Sequence, residues 1–200
     1  MNSIIDADLH HIVPNIDVLL PYMEVHWQEY FRQSHFRGPI DSSYPKGAST
    51  SIRPTLPSTA GTTRADVPKL DPWQTEIGIL NCTYEVESLH NPDMAATCAR
   101  AVNEWQAEHW LAEDSRLRAS IVAPSKVPMM AAKEIEHWGQ HPGFVQIFWP
   151  VRSPLLYGNR NYWPIFEAAV KHDLVVCIHF GGAPGHPSTP TGWPSWYIEE

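Results

Sequence analysis

Short runs of apolar, largely β-branched residues recur at Ile4–Leu9, Ile77–Tyr84, Leu117–Ala123, Phe144–Val151 and Leu174–Phe180. None alternates strictly with polar residues, so each predicts a strand buried on both faces. Helical patterns lie between them. Asn91-Pro92-Asp93 offers a capping side chain, a proline for the first turn and an acid against the helix dipole. Behind it Met94, Cys98, Val102, Trp105 and Ala112 fall at helical spacing. A second helix is predicted from Pro128, with Ala131, Ile135 and Trp138 on one stripe and Gly139 as its stop signal. A third follows Asn161, with Ile165, Phe166, Ala169 and Val170 facing inward. Strand and helix in alternation imply parallel strands joined by crossovers, an α/β fold.

Two stretches break this rhythm. Residues 36–72 are rich in Pro, Gly, Ser and Thr without periodicity, and a connection of that length is functional or disordered more often than filler. Residues 180–197 follow the last predicted strand and hold Gly181, Gly182, Gly185 and Gly192, which lets the backbone wrap a ligand.

Composition narrows the function classes. Fourteen Lys and Arg against twenty-two Asp and Glu give a net charge of −8, which argues against nucleic acid as a partner. Nine Trp, seven Tyr and six Phe supply too much burial-seeking surface for a disordered chain. No run approaches the roughly 18 apolar residues of a membrane helix, so no membrane partner is expected. Cys82, Cys98 and Cys177 are odd in number and far apart, which predicts free thiols and a reducing cytoplasmic compartment.

The first strand ends in Asp6-Ala7-Asp8-Leu9-His10-His11. Strand side chains alternate, so Asp6, Asp8 and His10 share one face while Ala7, Leu9 and His11 take the other. Asp8 and His10 thus aim a carboxylate and an imidazole at one point, a donor pair for Zn²⁺ or another first-row divalent ion. The same spacing also suits a polar strand end that only hydrogen-bonds its neighbours. His179 adds weight to the metal, because it closes the apolar run Leu174–Ile178 at the C-terminal end of a strand, where α/β proteins place their sites. The alternative is a histidine satisfied beneath the following loop. Three further residues are candidate substrate contacts. Arg152, just past the fourth strand, is suited to pairing with a carboxylate, or is a surface arginine. Trp149 lies near the same mouth, or packs. His186 reaches from the glycine-rich loop to substrate, or to solvent. His11 points away from the inferred site, and Cys177 sits in apolar surroundings as a small hydrophobe.

Ile5-Asp6-Ala7-Asp8-Leu9-His10 is followed by Ala101-Val102-Asn103-Glu104-Trp105, Arg116-Leu117-Arg118-Ala119-Ser120-Ile121 and Pro142-Gly143-Phe144-Val145-Gln146. Tyr162-Trp163-Pro164-Ile165-Phe166-Glu167-Ala168-Ala169 and Val176-Cys177-Ile178-His179 complete the series. In this order the motifs resemble the amidohydrolase-related metal enzymes of the amidohydrolase 2 branch, which includes aminocarboxymuconate-semialdehyde decarboxylase and related aromatic-acid decarboxylases. The resemblance covers nearly the whole chain except residues 36–72. It implies a (β/α)₈ TIM barrel of the metal-dependent hydrolase type. Residues 1–200 would be the N-terminal portion of that single domain, about five strands, with the metal at the C-terminal mouth.

By position Asp8 stands where the family more often has the first histidine of His-x-His, His10 stands for the second, and His179 matches the ligand ending the fifth strand. Aspartate keeps a ligand there but hardens the site. The expected cofactor is one divalent ion, Zn²⁺ first, with Mn²⁺ or Mg²⁺ next. Two-metal members carry a bridging lysine on the fourth strand, and Phe144–Val151 has none, so one metal is implied. The remaining family ligands would lie beyond Glu200: a histidine after strand six, and an aspartate after strand eight that usually moves protons. The 200-residue chain alone is therefore expected to be inactive, with open strand edges that favour association between copies. The leading functional expectation is hydrolysis of a small organic substrate through a metal-activated water. The alternative is non-oxidative decarboxylation of an aromatic or unsaturated carboxylic acid. An alternative of another class is a non-catalytic fragment or binding module, which would hold no metal.

Overall fold

The protein was described from a computed structural model, and the structure describes residues 4–11, 13–39 and 74–179. Most of the Pro-rich 36–72 stretch and the glycine-rich segment after His179 lie outside the described residues. Among the described residues five strands are present: β1 (Ile4–His11), β2 (Thr75–Cys82), β3 (Leu117–Val122), β4 (Phe144–Pro150) and β5 (Val175–His179). They form one sheet in the order β1-β2-β3-β4-β5, and every pair is parallel. Sequential parallel strands with helical crossovers are one half of a (β/α)₈ barrel. Among the described residues no helix is long and apolar enough to cross a membrane.

Four α-helices among the described residues accompany the sheet: α1 (Val25–Ser34), α2 (Pro92–Gln106), α3 (Pro128–Trp138) and α4 (Trp163–Lys171). Helix α2 begins as its sequence predicts, since the Asn91 side chain accepts from the backbone N–H of Asp93 (2.9 Å) and Met94 (3.1 Å). It runs on into a wider π-type turn over Ala107–Leu111, which shifts the buried stripe. Trp110 is buried as a result, and Ala112, expected on the stripe, is exposed. Helix α3 buries Ala131, Ile135 and Trp138 as expected. The helix stops at Gly139 as expected, with right-handed backbone there (φ −63). A Cβ there would sit 2.6 Å from the His172 ring, and close approach of the chain after α4 is what requires glycine. Helix α4 buries Ile165, Ala168 and Ala169, whereas Val170, expected inward, is 82% exposed. It lies five residues after Ile165, about 140° round the helix.

Helix α1 has no counterpart in the sequence reading. Only Phe31 of its ten residues is buried. Its one apolar signal is the Trp27–Phe31 pair, one turn apart and stacked at 5.8 Å.

A buried polar network ties the helices to the sheet. Glu134 on α3 accepts from Arg100 Nε (3.0 and 2.8 Å), Asn103 Nδ2 (3.0 Å) and Trp138 Nε1 (2.8 Å). Asn103 on α2 also donates to Val122 O (2.8 Å) and accepts from Val122 N (2.9 Å), so β3 is held from behind. Burial on both faces holds for β3 and β4. It fails for β1 and β5 at the sheet edges, where Ile5 (64%), Val175 (61%) and Ile178 (54%) are exposed.

Glu87 is buried just past β2, with Ser125 Oγ donating to it at 3.2 Å. Burial, reinforced by the nearby Glu85 charge, pushes its carboxyl from the ordinary 4.5 up to about 7. Between these values the unfolded chain releases the proton while the folded chain keeps it. Stability therefore falls as pH rises from 4.5 through 7, and the loss persists above. Replacing Glu87 by glutamine removes this dependence. Urea denaturation should find Glu87→Gln gaining on the wild type by about 2–3 kcal/mol between pH 5 and pH 8. Parallel pH profiles for the two proteins would show that Glu87 is not held protonated.

Candidate metal centre

The concave face of the sheet carries a small set of polar side chains, and side chains from its two edge strands meet there. Register breaks between Asp6, which pairs with Gly78, and Leu9, which pairs with Leu80. Ala7 and Asp8 together oppose one residue of β2, a bulge of the kind that re-aims a side chain beside a functional site. Asp8 Oδ1 lies 3.3 Å from His10 Nε2 on the same strand and 3.1 Å from His179 Nε2 at the end of β5. One ligand atom from each of Asp8, His10 and His179 falls within 4.8 Å of the others. The two imidazoles meet edge to face at 4.8 Å, and Phe148 on β4 packs 5.1 Å from the His179 ring.

One carboxylate oxygen and two imidazole nitrogens are a donor set that borderline divalent ions accept. Two ligands about 2.1 Å from one ion at tetrahedral or octahedral angles lie about 3.0–3.4 Å apart. The Asp8–His10 and Asp8–His179 separations fall in that interval, so the residues present fit a single divalent ion. Hydrogen bonding to His10, then to His179, outweighs burial and holds the Asp8 carboxyl well below the usual carboxylate range, with Asn81 adding to the effect. Asp8 is therefore an anion. Cys177, two residues before His179, is half-buried, and burial together with the Asp8 charge pushes its thiol up. That is the opposite of what a nucleophilic cysteine needs.

The other residues singled out from sequence are placed differently. His11 faces the helices, stacked 5.6 Å from Trp105 and edge-on at 5.0 Å to Trp110. Burial, with the nearby His10 charge, pushes it down to about 3, so it stays neutral. Trp149 is not at the mouth. It points to the helix side of β4, buried against Tyr157 (4.3 Å), Tyr162 (5.3 Å) and Phe166 (5.2 Å), and its ring is a packing element. Arg152 is buried at 1% exposure just past β4, so it is not the surface arginine that was its alternative. His186 lies outside the described residues.

Sequence reasoning missed the row beside Asp8. Asn81 on β2, Ser120 on β3 and Gln146 on β4 are buried and hydrogen-bonded to one another on the concave face. Each is a polar residue with an apolar neighbour on either side inside a strand run, and that is the signal that could have found them.

Comparison with known proteins agrees with this architecture. The sequence profile described as amidohydrolase matches residues 71–195. Gamma-resorcylate decarboxylase from Polaromonas is 28% identical over 101 residues, which are 47% of this chain and 31% of that protein. A structure of 5-carboxyvanillate decarboxylase from Novosphingobium aromaticivorans, complexed with manganese and 4-hydroxy-3-methoxy-5-nitrobenzoic acid, superposes with a TM-score of 0.62 at 20% identity. That match covers 88% of this chain and 50% of the other. 2,6-Dihydroxybenzoate decarboxylase from Rhizobium gives 0.61 at 17% identity, over 90% of this chain and 50% of the other. The chain thus spans about a third to a half of the length of these proteins. With the family profile covering more than half of its residues, and the parallel half-barrel it folds into, the chain belongs to the amidohydrolase family.

Proposed function

We propose that this protein is part of a metal-dependent carboxy-lyase that removes CO₂ from a hydroxylated aromatic carboxylic acid. The observation that carries the reading is the convergence of Asp8, His10 and His179 on one point at the C-terminal ends of β1 and β5. Hydrolysis, which led the expectations from sequence, takes second place because the relatives named above are decarboxylases. Manganese takes precedence over zinc for a parallel reason, since a relative's structure holds manganese. The absence of lysine from β4 favours one ion over two.

When bound, the ion supplies positive charge that anchors the substrate carboxylate or a neighbouring oxygen. Asp8 would contribute the compensating negative charge, and His10 and His179 would hold the ion from the two edge strands of the sheet. Phe148 and Cys177 form an apolar wall beside His179 that suits the face of an aromatic ring. Arg152 is retained as a candidate partner for a carboxylate, and His186 as a candidate substrate contact. In the net reaction the bond between the ring carbon and the carboxyl carbon breaks, its electron pair stays on the ring carbon, and one proton takes the place of CO₂.

Metal analysis of the purified protein should find about one equivalent of divalent ion. Occupancy should fall by 10-fold or more in His10→Ala and in His179→Ala, as expected when a ligand is lost. Two tightly held ions per chain, or none, would contradict this.

The reaction itself is tested by incubating the protein at its full natural length, and not residues 1–200 alone, with 2,6-dihydroxybenzoate and related hydroxybenzoates in the presence of Mn²⁺. Release of CO₂ that a chelator abolishes is the expected result. Turnover of esters or amides without CO₂ would return hydrolysis to first place.

A further inference from the structure

We propose that Asn81 is a positioning residue for the metal centre, and that Ser120 and Gln146 fix it in the sense that work requires. The inference rests on the metal-site reading above and extends it to residues that touch no ligand directly except Asp8.

The starting point is the bulge in β1. Ala7 and Asp8 drop out of the pairing with β2, so the Ala7 carbonyl needs another donor. Asn81 supplies it. Its Nδ2 donates to Ala7 O (3.1 Å) and to Asp8 Oδ1 (2.8 Å), joining the bulge and the carboxylate to one side chain on the next strand. A backbone carbonyl can only accept, so the amide must turn its NH₂ toward β1 and its oxygen toward β3. The other end of the amide agrees. Ser120 Oγ–H donates to Asn81 Oδ1 (2.5 Å), and Gln146 Nε2 donates both to Asn81 Oδ1 (3.1 Å) and to Ser120 Oγ (2.8 Å). Two donors and two lone pairs are all that the Asn81 amide has, and all are engaged.

Burial makes this row consequential. Asn81, Ser120 and Gln146 are exposed by 1%, 0% and 6%, so water does not substitute for a lost partner. The Asp8 side chain, in contrast, is 60% exposed and sits in a bulge. Left alone, it would sample several rotamers. Tied to Asn81, it holds one orientation, with Oδ1 facing His10 and His179. The row therefore transfers the rigidity of β2, β3 and β4 to the one ligand placed on an irregular stretch of backbone. Residues that orient a metal-binding carboxylate in this way alter metal affinity by about 10- to 100-fold when removed.

The test is Mn²⁺ affinity, measured by chelator competition on the metal-free protein, for the wild type, Asn81→Ala, Ser120→Ala and Asn91→Ala. Asn91→Ala removes the α2 cap outside the row and serves as a destabilised control. The expected result is a loss of at least about 10-fold for Asn81→Ala and a smaller loss in the same direction for Ser120→Ala, with Asn91→Ala unchanged. Ser120→Ala leaves Asp8 and Asn81 in place, so it reads the same linkage if Asn81→Ala does not fold. Wild-type affinity in both Asn81→Ala and Ser120→Ala, or in Ser120→Ala alone where Asn81→Ala is unfolded, would overturn the positioning role and leave the metal site standing. An equal loss in Asn91→Ala would reduce the effect to general destabilisation and overturn it as well. Failure of the wild type itself to bind Mn²⁺ would overturn both the site and this inference.

Discussion

Curvature of the parallel sheet is the constraint on which the rest of the structure depends. Adjacent parallel strands lie about 4.8 Å apart, so four steps across a flat sheet would separate β1 from β5 by about 19 Å. Asp8 on β1 and His179 on β5, 171 positions apart in the chain, nevertheless stand 3.1 Å from each other. Only a sheet that curls toward closure allows this, and it places both side chains over the axis of the half-barrel. The site is thus a property of the fold before it is a property of any loop. Its ligands come from strand ends, and their spacing is set by how tightly the sheet is wound.

The two faces of the sheet divide the work of holding that curvature. On the convex face Glu134, Arg100 and Asn103 lock α2 and α3 to the backbone of β3. On the concave face Asn81, Ser120 and Gln146 cross three strands as a hydrogen-bonded row that ends at Asp8. Strand β3 belongs to both networks, because Gln106 on α2 donates to the Ser120 carbonyl (3.4 Å) while the Ser120 hydroxyl faces the row. A buried polar network of this kind specifies a single arrangement because every alternative leaves a donor or acceptor unpaired.

Much of this was legible in the residues. Apolar runs separated by amphipathic stretches with caps such as Asn91 locate all five strands and the three helices that cover them, since burial imposes period and length directly. Asp8, His10 and His179 stand out because each is a metal-binding type at the end of an apolar strand. What stayed hidden depends on geometry that a linear pattern does not encode. The π-type turn after Gln106 moves the buried position from Ala112 to Trp110. Trp149 lies next to the mouth in sequence, yet alternation turns its ring toward the helices. Helix α1 buries one side chain and leaves no stripe to read. Asn81, Ser120 and Gln146 matter only jointly, and nothing in any one of their strands announces the other two.

Anomalous diffraction from crystals of the protein grown with Mn²⁺ tests the central claim most directly. The account predicts a single peak bounded by the Asp8 carboxylate, His10 Nε2 and His179 Nε2, with Asn81 still donating to Asp8. A peak elsewhere in the molecule, or an ion held without His179 from the opposite edge of the sheet, would contradict it.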